Sequence, residues 1–345
     1  MKIEENRLLA PLTTFGIGGP ARWFAEAACE AEVAEAAAWA CERGLPLFVL
    51  GGGSNLLVAD AGFSGLALKI GLKGIEREGA IFHAAAGEDW SAFVEQMVAS
   101  DCAGLECLAG IPGTVGGTPV QNVGAYGQEA GALIERVRAF DLEHSAFVEF
   151  TGAECGFAYR RSRFNGADRG RYVVTRVDYR LEPGGKPTLR YAELERAVSD
   201  AGAKTLAEVA ALVCEIRKTK GMLLVEGDVD CRSAGSFFKN PVVSEAVYRQ
   251  IAASSAGSPP RFSAGTESDQ VKIPAAWLIE RAGFTKGYAL GAAAISSRHT
   301  LALVNRGGAR AGEILDLAAK IQESVAARFG LRLEMEPVRV GFAEG

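Results

Sequence analysis

Gly110-Ile-Pro-Gly-Thr-Val-Gly-Gly-Thr-Pro-Val-Gln-Asn-Val-Gly-Ala-Tyr-Gly127 places six glycines and two prolines in eighteen residues. Glycine enters positive φ freely and lets backbone N–H groups come close to a ligand, so successive amides in such a run can form a concave nest around a pyrophosphate. The structural alternative is an irregular loop over the core. A long stretch without regular structure inside a compact domain is usually functional, and this favours the nest.

A second glycine turn lies upstream of that loop. The Ala- and Glu-rich stretch from Cys29 to Arg43, closed by Gly44, predicts a helix; the apolar run Leu45–Leu50 predicts a buried strand that enters Gly51-Gly52-Gly53-Ser54-Asn55. This turn lacks G-x-G-x-x-G spacing and is followed by Leu56-Leu57-Val58-Ala59-Asp60, not by a helix start. No G-x-x-x-x-G-K-[ST] sequence occurs anywhere, so neither a Rossmann turn nor the commonest phosphate loop is assigned. Taken alone, the turn is as readily structural as functional.

Downstream, Val173, Thr175, Val177, Tyr179 and Leu181 alternate with polar neighbours, which predicts a strand ending at Pro183-Gly184-Gly185. Thr205 and Glu208 form a capping-box pattern, predicting a helix to about Lys220 that stops at Gly221. Residues 310–329 predict an amphipathic helix ending at Gly330, followed by a short strand, Leu331–Leu333. The chain reads as α+β, with boundaries near residues 70 and 225 and no internal repeat.

At 345 residues, 48% hydrophobic and 23% charged, the chain is long enough for two or three domains. A net charge of -5, a pI near 5.5 and the lack of any Lys/Arg run leave no footprint for nucleic acid or an anionic membrane. No apolar stretch is long enough to span a bilayer and Met1–Ala10 has no signal-peptide core, so a cytoplasmic protein is expected. Cys29, Cys41, Cys102, Cys107, Cys155, Cys214 and Cys231 form no CxxC pair. The three histidines, His83, His144 and His299, add no metal-ligand spacing, so free thiols and no metal are expected.

The chain resembles the UDP-N-acetylenolpyruvoylglucosamine reductases. The resemblance runs through Thr14-Phe15-Gly16-Ile17-Gly18-Gly19, Gly51 to Leu57, Gly104-Leu105-Glu106, Ala109 to Gly127 and Tyr159-Arg160-Arg161-Ser162-x-Phe164. It continues through the Lys220 region, Ala234-Gly-Ser-Phe-Phe-Lys-Asn-Pro241 and Leu333-Glu-Met-Glu336, and so covers essentially the whole chain. It implies an FAD-binding domain of the vanillyl-alcohol-oxidase type, made of two α+β subdomains over residues 1–70 and 71–225. A C-terminal α+β substrate-binding domain would follow over 226–330, with the strand region 331–345 returning to the second subdomain. FAD, bound non-covalently, would be held by Gly51, Gly52, Gly53, Ser54 and Asn55, and by Gly110, Gly113, Thr114, Gly116, Gly117, Thr118, Asn122 and Gly124, through backbone amides and short polar side chains.

The same resemblance implies an enol ether conjugated to a carboxylate as substrate, with NADPH as the source of electrons. Arg160 would grip the carboxylate, Ser236 would give a proton to carbon, and Glu336 would hydrogen-bond the developing enediolate as a desolvated acid. Tyr126, Lys220 and Asn240 are candidate contacts to the sugar nucleotide or NADPH. His299 is a candidate pyrophosphate contact, and Tyr191 resembles the substrate-covering tyrosine of the subclass with an extra lid loop.

The sequence departs from the family in two places. Gly221-Met-Leu-Leu-Val-Glu-Gly-Asp-Val-Asp230 replaces a proline-bearing loop after Lys220, and the family's Leu-Glu-Pro-Glu-Val-Arg becomes Leu333-Glu-Met-Glu-Pro-Val-Arg339. An ungapped match puts the catalytic carboxylate on Glu336; a match anchored on Val338-Arg339 puts Pro337 there and leaves Glu334. A small-molecule enzyme acting as a monomer is the reading. The alternatives are an FAD-dependent oxidase of the same cofactor fold and a non-catalytic nucleotide-binding regulator, which the presence of Arg160, Ser236 and a terminal glutamate disfavours.

Overall fold

The helix at residues 206–219 starts where the sequence supplies a cap. In the computed structural model, which describes residues 1–255, 257–263 and 269–343, Thr205 Oγ1 accepts the Glu208 N–H at 3.2 Å and Glu208 Oε2 accepts the Thr205 N–H at 2.9 Å. This reciprocal box opens the helix Leu206–Thr219. The helices Glu30–Glu42 and Ala311–Phe329 match their sequence patterns, and the second ends on Gly330 at φ 68°, a left-handed cap that a residue with a Cβ enters at a cost.

The chain divides into two compact units, Met1–Leu8 with Pro20–Gly53 and Gly62–Leu224, and Leu9–Gly19 with Ser54–Ala61 and Val225–Gly345. The first unit holds two sheets. One orders the strands Ile3–Leu8, Pro20–Ala27, Phe63–Ile70 and Leu47–Leu50, with the last three parallel. The other is antiparallel, in the order Ala146–Thr151, Ile134–Asp141, Tyr172–Arg180, Ile81–Ala85 and Ile75–Glu78. The alternation read at Val173–Tyr179 is this central strand. A single apolar cluster joins Val33, Leu66 and Leu68 to Val137, Val177, Val209 and Val213, all fully buried.

In the second unit the helix Ala311–Phe329 buries Ile314, Leu317, Ala318, Ile321 and Val325, the i, i+3, i+4, i+7, i+11 stripe of one helix face. They pack in a cluster with Ala293, Ile295 and Leu303 of a small antiparallel sheet and with Leu278 and Ile279 of the helix Ala275–Arg281. Each Ile, Leu or Val side chain among them contributes about 1.5–3 kcal/mol when fully buried.

Two expectations need correction. Leu331–Leu333 forms no strand: Leu333 is drawn into the core at 1% exposure, but among the described residues no strand pairs with it to complete a ladder. Pairing starts further on, where Met335 bridges Phe238 and the Lys239 N–H donates to Glu334 O at 2.9 Å. The C-terminal strand also does not return to the 71–225 segment. Val338–Val340 pairs in parallel with Leu56–Val58, whose apolar edge is otherwise unpaired among the described residues, so both belong to the second unit.

Candidate active site

The two glycine turns meet backbone to backbone. A Cβ on Gly52 would lie 2.6 Å from Gly113 Cα and 2.9 Å from its carbonyl carbon, so only glycine permits this approach. The partner loop is anchored to the start of a helix: Gly113 O accepts the Trp90 N–H at 3.1 Å, and Asp89 caps Trp90–Ala99 by accepting the Ala92 N–H at 2.9 Å. Gly53 adopts φ 64°, and among the described residues the N–H groups of Gly52 and Gly53 donate to no other backbone group. Consecutive amides without a protein acceptor, on a turn that a side chain would close, are suited to a diphosphate.

Two residues assigned to the cofactor turn inward. Thr118 is 1% exposed and its hydroxyl joins Val115 O and the Tyr179 phenol; Asn122 is 1% exposed, donates to Glu129 Oε2 and Ala158 O, and accepts the Gly131 N–H. Their side chains hold the loop's shape. The physical reason is hydrogen-bond satisfaction: the loop has few regular partners, so its own short polar side chains supply them.

Arg160 projects from a tight turn bolted to the same loop. Its Nη2 donates to Gly124 O at 2.8 Å, its carbonyl accepts Asn165 Nδ2 at 3.0 Å, and Ser162 Oγ donates to Val120 O at 2.6 Å. Asn122, Tyr126 and Arg160 take positive φ of 47°, 47° and 54°. Asparagine tolerates this region. For Tyr126 and Arg160 it costs on the order of 1 kcal/mol or more each, and such strain collects at functional sites.

Tyr126, Tyr191 and Lys220, chosen separately from the sequence, come together. The two rings meet edge to face at 5.5 Å and Lys220 Nζ lies 5.7 Å from the Tyr126 ring centre. Burial pushes the Tyr126 phenol up to about 12, so it stays a neutral donor throughout the physiological range. Two neighbours were missed. Glu193 pairs with Lys220 at 2.5 Å. Arg217 is buried, donates to Gly110 O and Met222 O, and has no carboxylate partner among the described residues. Its i, i+3 spacing to Lys220 on one helix was the available signal.

In the second unit, Ser236 and Glu336 lie on facing segments. Glu336 N–H donates to Phe237 O at 2.9 Å, and Phe237 N–H donates to Leu301 O at 2.8 Å. His299 Nδ1 accepts the Leu301 N–H at 3.1 Å, which leaves Nε2 as the nitrogen that carries the ring proton in this tautomer. The Ser236 hydroxyl is half-buried and has no hydrogen-bond partner among the described residues. Asn240 Oδ1 accepts the Ala275 N–H at 2.8 Å and thereby helps to cap the helix Ala275–Arg281.

Asp141, Glu143 and His144 present ligand atoms within 4.8 Å of one another, but Arg171 reaches both carboxylates at 2.8 Å and makes this an ion-pair cluster. Among the described residues no helix is long and apolar enough to cross a membrane.

Residues 21–143 match the family model described as an FAD binding domain, and residues 227–340 match UDP-N-acetylenolpyruvoylglucosamine reductase, C-terminal domain. Fold and site thus define an FAD-containing oxidoreductase. The chain is 47% identical to UDP-N-acetylenolpyruvoylglucosamine reductase of Streptomyces coelicolor over 97% of its length and 89% of the relative's. It is 44% identical to that of Thermobifida fusca over 98% of each. A solved structure of the Thermus caldophilus enzyme superposes with TM-score 0.70 at 28% identity, covering 99% of both chains. The chain belongs to the UDP-N-acetylenolpyruvoylglucosamine reductases.

Gly52→Ala tests the diphosphate nest. The new methyl must displace the Gly113 backbone, a costly overpacking, so FAD affinity is expected to fall roughly tenfold or more, on the scale of 1–3 kcal/mol. Fluorescence titration of the deflavinated protein with FAD measures it, and unchanged affinity would place the diphosphate elsewhere.

Proposed function

We propose that the protein reduces UDP-N-acetylglucosamine enolpyruvate to UDP-N-acetylmuramate with electrons from NADPH, in peptidoglycan precursor synthesis. It does so in the cytoplasm and as a monomer. The observation that carries this reading is local: the Gly-Ser-Phe-Phe-Lys-Asn-Pro segment is hydrogen-bonded to the segment of Glu336, with Glu336 N–H on Phe237 O at 2.9 Å. A hydroxyl without a hydrogen-bond partner among the described residues and a half-buried carboxyl group therefore share one small region of the second unit.

Bound FAD supplies the hydride chemistry between NADPH and the enol ether. The chain supplies the rest. Arg160 grips the substrate carboxylate through its planar fork. Ser236 gives the proton to carbon, and the Glu336 carboxyl group hydrogen-bonds the charge that develops on the substrate carboxylate. Tyr126, Tyr191 and Lys220 hold the sugar nucleotide or NADPH, while His299, with its Nε2 proton, serves the pyrophosphate. Residues 1–225 carry the cofactor, and the segment after 225 takes the substrate.

The purified protein is expected to be yellow and to release free FAD on acid precipitation, because neither glycine turn contains a His or Cys that could attach it. Anaerobic titration with NADPH should bleach the flavin, and the enolpyruvyl nucleotide should restore the colour. A folded, colourless protein that binds no added FAD would sink the assignment. Bleaching by a sugar without NADPH would support the oxidase reading instead.

A further inference from the structure

Glu106 is fully buried, yet among the described residues no cation pairs with it. Removing a carboxylate from water costs several kcal/mol unless strong hydrogen bonds compensate. Three donors converge here. Glu106 Oε2 accepts the Gly104 N–H at 2.8 Å, and Oε1 accepts both Gln128 Nε2 and the Thr188 N–H at 2.8 Å. The ring closes through the neighbouring residue: the Cys107 N–H donates to Gln128 Oε1 at 2.9 Å, and Cys107 Sγ donates to Thr188 O at 3.3 Å. The Cys107 contact also fixes the Gln128 amide so that its NH2 faces Glu106.

The two loops joined in this way are the ones that carry the aromatic pair. Gln128 is two residues past Tyr126 and pairs with Ala125 in a short antiparallel turn. Thr188 is three residues before Tyr191, and the start of its segment, Glu182–Pro183, is itself paired with Cys102–Ala103. One buried carboxylate therefore bridges both approaches to the edge-to-face contact of Tyr126 and Tyr191 at 5.5 Å. A carboxylate suits this place because all three neighbours are donors; glutamine would turn its own NH2 toward at least one of them.

We propose that Glu106 is a positioning residue that sets the spacing of Tyr126 and Tyr191 and thereby the affinity of the site for its nucleotide ligand. That the pair holds a sugar nucleotide rests on the function proposed above. The test is Glu106→Gln in the FAD-loaded protein. FAD content and the limiting rate of flavin reduction at saturating NADPH are expected to stay within about twofold of wild type. KM for the enolpyruvyl nucleotide should rise about 10- to 100-fold, the scale of one lost hydrogen bond to a charged group, with kcat little changed.

Amide hydrogen exchange should be faster over residues 186–191, with the Thr188 N–H foremost. Should Glu106→Gln fail to fold, the same readouts are taken on Gln128→Met, which removes one donor from the carboxylate. Unchanged KM and unchanged exchange would overturn the proposal. So would equal loss of FAD and of both half-reactions, which would mark Glu106 as general scaffold. If wild type reduces no enolpyruvyl nucleotide, the functional reading fails; the exchange comparison still decides whether Glu106 fixes the tyrosine loops.

Discussion

Ser236→Ala is expected to leave flavin reduction by NADPH nearly intact while slowing the reaction with the enolpyruvyl nucleotide by roughly 10² to 10⁴-fold, the range for loss of a general acid. The structure separates the hydroxyl's chemistry from any structural duty. Backbone position is fixed on either side: Gly235 turns the chain at φ 70°, and Phe237, 1% exposed, donates its N–H to Leu301 O at 2.8 Å. The Ser236 hydroxyl itself has no hydrogen-bond partner among the described residues. Its removal should change stability by no more than about 0.5 kcal/mol, as for a partly exposed polar side chain away from caps and networks. An isolated serine is a poor acid, but a carbon base formed next to it is strong enough to take the proton. Anaerobic stopped-flow measurement of the two half-reactions is decisive. Equal slowing of both would assign Ser236 to the shape of the site and not to proton transfer.

What the sequence disclosed, and what it hid, follows the range of the interactions involved. The Thr205/Glu208 box, the Gly330 cap and the alternation at Val173–Tyr179 are local, so the residues that cause them lie within a few positions of one another. Strand partnership is not local. Leu56–Val58 finds Val338–Val340 across nearly the whole chain, and nothing near either segment names the other. Motif matching located the glycine turns, Arg160 and the Tyr126, Tyr191 and Lys220 group. It cannot tell that the Thr118 and Asn122 side chains hydrogen-bond to the loop itself. Glu106, Glu193 and Arg217 do not stand out in the sequence, for a related reason. Charged residues are ordinarily on the surface, and only the fold shows that Glu106 and Arg217 are buried beside the site.

Glu336→Gln is expected to cut the reaction with the enolpyruvyl nucleotide by about 10² to 10³-fold, the scale of losing one preorganised group that meets developing charge, whereas Glu334→Gln should stay within a fewfold of wild type. Alternation places both side chains on one face of an extended segment and cannot choose between them. Environment can. Glu334 is exposed, its side chain retaining 72% of its accessible surface, and it pairs with Lys239 at 2.5 Å. An ion pair of this kind contributes about 0–1 kcal/mol. Glu336 is half-buried and its backbone is held from two sides, by N–H donation to Phe237 O at 2.9 Å and by acceptance from Asn55 Nδ2 at 3.4 Å. Pro337 follows, is buried, and disfavours helix at Glu336, so the residue is kept extended. The two Met335 neighbours therefore differ in kind: one carboxylate meets solvent and a lysine, the other sits on a fixed backbone next to the Ser236 segment. This favours the ungapped register of the C-terminal motif. The measurement is the rate of flavin reoxidation by the enolpyruvyl nucleotide in each FAD-loaded variant. A crippled Glu334→Gln beside a near-normal Glu336→Gln would transfer the catalytic role to Glu334 and shift the motif by two residues.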